Sequence, residues 1–154
     1  MSKKIQYLVI HCTATPEYRE ISSADIRRWH TSPASKGGRG WKQVGYTDMI
    51  HLDGTVERLV ENNEDGWVDS WEITNGVAGY NSVSRHLVYV GGVDANGKPK
   101  DTRTMQQKVA LGNYVLKFAR QHPQTKIVGH NMLANKACPS FDVEQWLKQL
   151  GIKS

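Results

Sequence analysis

Four consecutive apolar residues, Tyr7-Leu8-Val9-Ile10, two of them β-branched, predict a strand buried on both faces. Ser22-Ser23-Ala24-Asp25 has capping-box spacing and leads into Ile26 and Trp29, one turn apart, so a short helix is expected over 23–30. The glycine-rich stretch 33–40 reads as a loop. Two extended runs, 46–51 and 55–60, flank Leu52-Asp53-Gly54, whose Asp-Gly pair predicts a hairpin turn. The polar stretch 61–79 holds Gly66, Gly76 and Gly79 together with Trp67 and Trp71, and is expected to be a long surface loop. Leu87-Val88-Tyr89-Val90 predicts another strand, followed by a turn over 94–98.

Met105, Val109, Gly112 and Leu116 line an expected helix over 104–121, stopped at His122-Pro123. Ile127-Val128 is a short strand running straight into His130. Val143, Trp146, Leu147 and Leu150 recur at i, i+3, i+4 and i+7, the apolar stripe of a last helix that Gly151 ends. No internal repeat or linker divides the chain. The order of elements predicts an α/β (α+β) fold: one domain spanning 1–154, with its core over about 5–150 and a mixed central sheet flanked by helices.

Two strand ends carry the chemistry. His11 follows Ile10, His130 follows the 127–128 strand, and Cys138 lies in a loop that Pro139 stiffens. Adjacent strands would bring both imidazoles to one sheet edge, with the thiol reaching the same point. Imidazole nitrogen and thiolate sulfur suit zinc, and three protein ligands leave a fourth position open. His-x7-Cys alone is a weak signal, because structural fingers use tighter paired spacings. Cys12, next to His11 on a strand, points to the opposite face and reads as a small buried hydrophobe.

Length and composition narrow the class. A chain of 154 residues with 38% hydrophobic and 23% charged residues can bury a full core. Five Trp and six Tyr against two Phe favour carbohydrate or peptide contact, since those rings pair an apolar face with a polar tip. Twenty basic against fifteen acidic residues give +5, which suits an anionic surface, but the basic residues are scattered and no nucleic-acid motif occurs. No nucleic-acid partner is therefore expected. The apolar stretch at the N-terminus is too short for a signal-peptide core or a membrane span, so synthesis in the cytoplasm and free thiols are expected.

The chain resembles the zinc-dependent N-acetylmuramoyl-L-alanine amidases of the type-2 family, which share their fold with peptidoglycan recognition proteins. It is most similar to the short single-domain phage lysozymes of that family. The resemblance rests on Val9-Ile10-His11-Cys12-Thr13-Ala14-Thr15, Ile26-Arg27-Arg28-Trp29-His30, Val44-Gly45-Tyr46, Asp53-Gly54-Thr55-Val56-Glu57, Gly79-Tyr80-Asn81, Tyr89-Val90-Gly91-Gly92-Val93-Asp94 and Lys136-Ala137-Cys138-Pro139-Ser140-Phe141-Asp142. It implies one Zn2+ per chain on His11, His130 and Cys138, with Tyr46 and Lys136 as catalytic side chains. It also implies cleavage of the amide between N-acetylmuramic acid and L-alanine in peptidoglycan. A monomeric phage endolysin, reaching the wall through a holin or another export route, is the expected setting. A catalytically silent wall-binding module of the same fold is the alternative.

Trp67 and Trp71, in the long loop, and Asn81, in the matching Gly79-Tyr80-Asn81 stretch, are assigned to substrate contact. Four departures from the family pattern stand out, one being that the 61–79 loop is longer than usual and carries two extra tryptophans. Thr47 follows the Gly-Tyr pair where a histidine is common. The stretch Asn75-Gly76-Val77-Ala78-Gly79 lacks another usual histidine. Ser84-Arg85-His86-Leu87 is more polar than its family counterpart; His86 there could restore a lost polar contact, though a surface place is the expectation.

Overall fold

The computed structural model describes residues 2–152 of the chain. Among the described residues nine strands and three α-helices follow one another. β1 (Lys3–Lys4), β2 (Tyr7–Cys12) and β3 (Thr15–Pro16) precede α1 (Ser23–Thr31). β4 (Asp48–Ile50), β5 (Val56–Arg58) and β6 (Trp67–Val68) come next, then β7 (Ser84–Tyr89) and β8 (Gly92–Val93). α2 (Met105–Gln121), β9 (Lys126–Gly129) and α3 (Val143–Gln149) complete the chain.

The main sheet runs β5-β4-β7-β2-β9, parallel throughout except for the β4–β5 hairpin. β2 lies between two parallel partners, which is why it reads as a continuous apolar run. Its alternate residues face opposite layers. Leu8, Ile10 and Cys12 join Leu87 and Tyr89 of β7 in a core covered by Leu111, Val115 and Phe118 of α2 and by Val143, Trp146 and Leu147 of α3. Met49, Val88 and Val90 pack on the opposite face with Ile26 of α1. Val9 belongs to a smaller cluster with Val77 and Val128.

The sequence reading of α2 has the right span and the wrong face. Met105, Val109 and Leu116 are exposed, while Gln107, Leu111, Val115 and Phe118 are buried beside Gly112. A buried glutamine hides the stripe from a hydrophobic count. The Gln107 side chain closes a capping box with Thr104 and donates from Nε2 to the Val90 carbonyl at 2.9 Å. The capping box at the start of α1 forms as expected, between Ser22 and Asp25.

The stretch 61–79 is more structured than a surface loop. Within it β6 pairs antiparallel with β1, and a 3-10 turn spans Ser70–Glu72. Arg85, buried on β7, donates to the Trp67 carbonyl at 3.1 Å and ties this segment to the sheet.

Candidate active site

The C-terminal ends of β2 and β9 meet side by side. Ile10 and Gly129 are register partners, so the residues that follow them, His11 and His130, come level. Their rings stand 4.8 Å apart between centroids. Cys138 arrives from the loop before α3, its Sγ 3.8 Å from Nδ1 of His11. Among the described residues, His11, His130 and Cys138 form a group whose ligand atoms all lie within 4.8 Å of one another. Zn–S and Zn–N bonds at a tetrahedral angle separate nitrogen from sulfur by about 3.6 Å, so this donor set fits zinc.

The loop carrying Cys138 is held from several sides. Asn131 N–H donates to the Cys138 carbonyl at 2.8 Å, Tyr89 Oη to the Pro139 carbonyl at 2.6 Å, and Ser140 Oγ to the Gly92 carbonyl at 2.8 Å. Gly129 is needed where the loop turns back: a Cβ there would stand 2.6 Å from Oδ1 of Asn131 and 3.1 Å from Pro139. Cys12 N–H donates to Cys138 Sγ at 3.2 Å, while the Cys12 side chain turns into the core.

Burial keeps the imidazoles neutral near pH 7. His11 is fully buried, and desolvation, then His86, His130 and His30, hold its pKa well below 6.5. His130 is lowered by burial and by the Lys136 charge. His30 is brought down to about 4 by burial and Arg39, and its Nδ1 accepts from Gly45 N–H at 2.9 Å. The Cys138 thiol is pushed up by the neighbouring Cys12 thiol and by burial, whereas the Cys12 N–H bond favours its thiolate. A dication bound at that sulfur would deprotonate it.

These groups line a cleft of about 540 Å³. Tyr46, 5.2 Å from His11 between ring centroids, forms part of its wall, and exposed Lys136 stands at its edge beside His130. Burial, then Cys138 and Cys12, push the Tyr46 phenol up, so it carries its proton at neutral pH and can donate a hydrogen bond. Trp29, Trp41 and Arg39 also line the cleft, with the Arg39 guanidinium 5.0 Å over the Trp41 ring.

The structure therefore gathers five of the sequence-assigned residues and leaves three apart. Trp67 and Trp71 are half-exposed and absent from the cleft wall among the described residues. Trp67 pairs with Lys4 near the opposite end of β2 from His11. Asn81 does not line the cleft either. Its Oδ1 accepts from Val77 N–H at 2.8 Å and lies 3.0 Å from Nε2 of His86.

His86 corrects the sequence reading. It is fully buried, not at the surface, and its Nδ1 lies 2.8 Å from Nε2 of His11. Burial, then His130, bring its pKa down to about 3. Two of the departures noted in the sequence meet here, since the His86 ring rests on the bare backbone of Gly76. Another, Thr47, is buried, with no partner for its hydroxyl among the described residues. Three polar residues in a row, Ser84-Arg85-His86, opening a fully buried strand were the available signal for His86.

The family model for N-acetylmuramoyl-L-alanine amidase (Amidase_2) matches residues 1–141. The chain belongs to this family. Among similar proteins, the endolysin of Enterobacteria phage K11 is 37% identical over 139 residues, covering 90% of this chain and 83% of that one. The solved Ph2119 endolysin from the Thermus scotoductus MAT2119 bacteriophage superposes with a TM-score of 0.71 at 25% identity, over 98% of this chain and 87% of that one. Bumblebee PGRP-SA shares the fold alone, with a TM-score of 0.70 at 18% identity, over 98% of this chain and 84% of that one. Amidases of this kind act on peptidoglycan, and this chain is a peptidoglycan amidase of the phage endolysin type.

Proposed function

We propose that this amidase uses one zinc ion, held by His11, His130 and Cys138, to cleave the amide between the lactyl group of N-acetylmuramic acid and L-alanine. The carrying observation is the convergence of two neutral imidazoles and one thiol on a single point at the floor of an open cleft. Held by those three residues, zinc would supply Lewis acidity toward the scissile carbonyl and an acidified water nucleophile.

The chain's own residues supply the rest. The Lys136 ammonium, at the cleft edge, stabilises negative charge developing on the carbonyl oxygen in the transition state. The protonated Tyr46 phenol donates to that oxygen or orients the attacking water. Burial and the neighbouring thiols push its pKa up, which suits it to donating a hydrogen bond. Trp29 and Trp41 offer flat apolar faces to sugar or stem peptide, and Arg39 offers a cation to a stem-peptide carboxylate. Trp67, Trp71 and Asn81 lie elsewhere and take no part in this reading. The setting proposed is the bacterial wall, reached after synthesis inside the cell through a holin or a comparable route. No helix among the described residues is long and apolar enough to cross a membrane.

Purified peptidoglycan incubated with the enzyme should yield new L-alanine amino groups. Chelation should abolish the release and added zinc restore it. Release that survives complete metal removal would overturn the zinc assignment. Wall binding with no release at all would favour a silent recognition module.

A further inference from the structure

We propose that His86 and Asn81 form a positioning relay that fixes the tautomer and orientation of His11, leaving its Nδ1 lone pair aimed at the point shared with His130 and Cys138. This rests on the reading of His11 as a metal ligand and extends it to two residues outside the ligand set.

The protons along the relay can be assigned in order, starting from a donor that has no choice. Val77 N–H can only donate, so the Asn81 atom 2.8 Å away is the amide oxygen. That same oxygen lies 3.0 Å from Nε2 of His86, and because it only accepts, His86 must carry its hydrogen on Nε2. His86 is completely buried, and no carboxylate is bonded to it, so it holds a single ring proton. Its Nδ1 is then a bare acceptor. The 2.8 Å contact to Nε2 of His11 needs a hydrogen, which His11 must supply. His11 is thereby the Nε2–H tautomer, and its free nitrogen is Nδ1, the atom that faces Cys138 Sγ at 3.8 Å.

The sheet explains how the relay is built. His86 on β7 is the register partner of Val9 on β2, so it shares a face with Val9 and His11. Gly76 closes the other side. A Cβ there would lie 2.4 Å from Nδ1 of His86, so the ring has room only because that residue has no side chain. Histidines that bind metals usually donate their second ring N–H to a fixed acceptor, and losing that acceptor typically weakens metal binding about 10–100-fold. An imidazole nitrogen serves here as that acceptor.

Two measurements decide the matter. Long-range proton–nitrogen NMR correlations on the metal-free protein at pH 7.5 should show His11 purely as the Nε2–H form. His86→Leu should give a tautomer mixture, and His86→Asn, whose amide oxygen falls near the lost Nδ1, should restore the wild-type pattern. Chelator competition should show zinc affinity falling about 10–100-fold in His86→Leu and largely recovering in His86→Asn. Circular dichroism melts will show whether each variant folds. If His86→Leu does not, Asn81→Ala removes the terminal acceptor from outside the sheet and should weaken zinc binding in the same direction. A wild-type His11 carrying its hydrogen on Nδ1 overturns the relay, and so does a folded His86→Leu protein that binds zinc as tightly as wild type. If the wild-type protein takes up no zinc while His11 is still the Nε2–H form, the zinc reading fails and the relay stands.

Discussion

The ring of His86 occupies the space that a side chain at Gly76 would need. A Cβ built on Gly76 lies 2.4 Å from Nδ1 and 2.5 Å from Cγ of that ring. The two positions are ten residues apart in the chain, one in a loop at the cleft wall and one in the central sheet, yet they are sterically a single unit. Gly76→Ala should therefore destabilise the protein by about 1–3 kcal/mol through overpacking. The same substitution in a His86→Ala background should cost clearly less. Denaturant titration of the four proteins checks this, and strictly additive effects would show that the ring moves aside without strain.

Cys12 and Cys138 should differ sharply. Cys12 lies in the core with Ile10 and Tyr89, its thiol beside that of Cys138 but turned away from the His11 face of β2. Cys12→Ser should keep zinc and activity, and lose about 1–3 kcal/mol of stability for a buried hydroxyl. Cys138→Ser should lose most of its metal. Elemental analysis of both variants, purified without added zinc, gives the comparison.

Lys136→Ala and Tyr46→Phe should each remain folded and zinc-replete. Neither side chain is placed to ligate the metal, and both face the reacting carbonyl in the mechanism proposed. Turnover should drop by roughly 10²–10³ while binding of wall fragments changes little. Single-turnover release of L-alanine amino groups, measured beside pull-down on peptidoglycan, separates the two effects.

Substrate contact should map to the cleft and not to the 61–79 segment. Trp41→Ala is expected to raise KM roughly tenfold, the effect of removing a contact worth a little over 1 kcal/mol. Trp67→Ala combined with Trp71→Ala should leave KM within about twofold. A larger effect from the double variant would reassign substrate recognition to the far end of the sheet.

His51 gives a pH dependence away from the metal. Its ring nitrogens lie 2.8 Å from Glu20 and 2.8 Å from Glu57. Burial disfavours its charge, but the bonds and charges of both carboxylates outweigh that and raise its pKa above 6.5. A raised folded-state pKa gives stability that is fully present below the unfolded value and lost as pH rises through the folded value. His51→Gln should thus be less stable than wild type near pH 6, by at most about 1 kcal/mol for partly exposed pairs, with the gap shrinking above pH 7. Thermal melts of both proteins from pH 5.5 to 8.5 test the sign.

Local signals made much of this readable from sequence. The run 7–10 announced β2, an inner strand of the sheet, because both its faces are covered, and the Ser22/Asp25 pair marked the start of α1. The His11, His130 and Cys138 grouping followed from two strand ends and a stiffened loop. The missing parts depend on packing. Gln107 is buried because its amide bonds the sheet, which rotates the apparent apolar face of α2. Trp67 is exposed and pairs at a sheet edge 63 residues from its partner Lys4, so its distance from the cleft could not be seen in the loop's composition. His86 meets His11 across 75 residues, and the polar run Ser84-Arg85-His86 does not say which residue lies opposite.

The pinned loop bearing Cys138 sets what would happen to this enzyme if the proposed zinc were removed. Asn131, Tyr89 and Ser140 anchor that loop by hydrogen bonds that involve no metal, and the core beneath it is filled by side chains from α2, α3 and the sheet. Small zinc modules collapse when stripped because the ion is their core. Here the proposed ligands sit on a framework whose hydrogen bonds and core packing involve no metal. The stripped protein should stay folded and refill without rebuilding, so metal scarcity would silence this enzyme reversibly instead of destroying it.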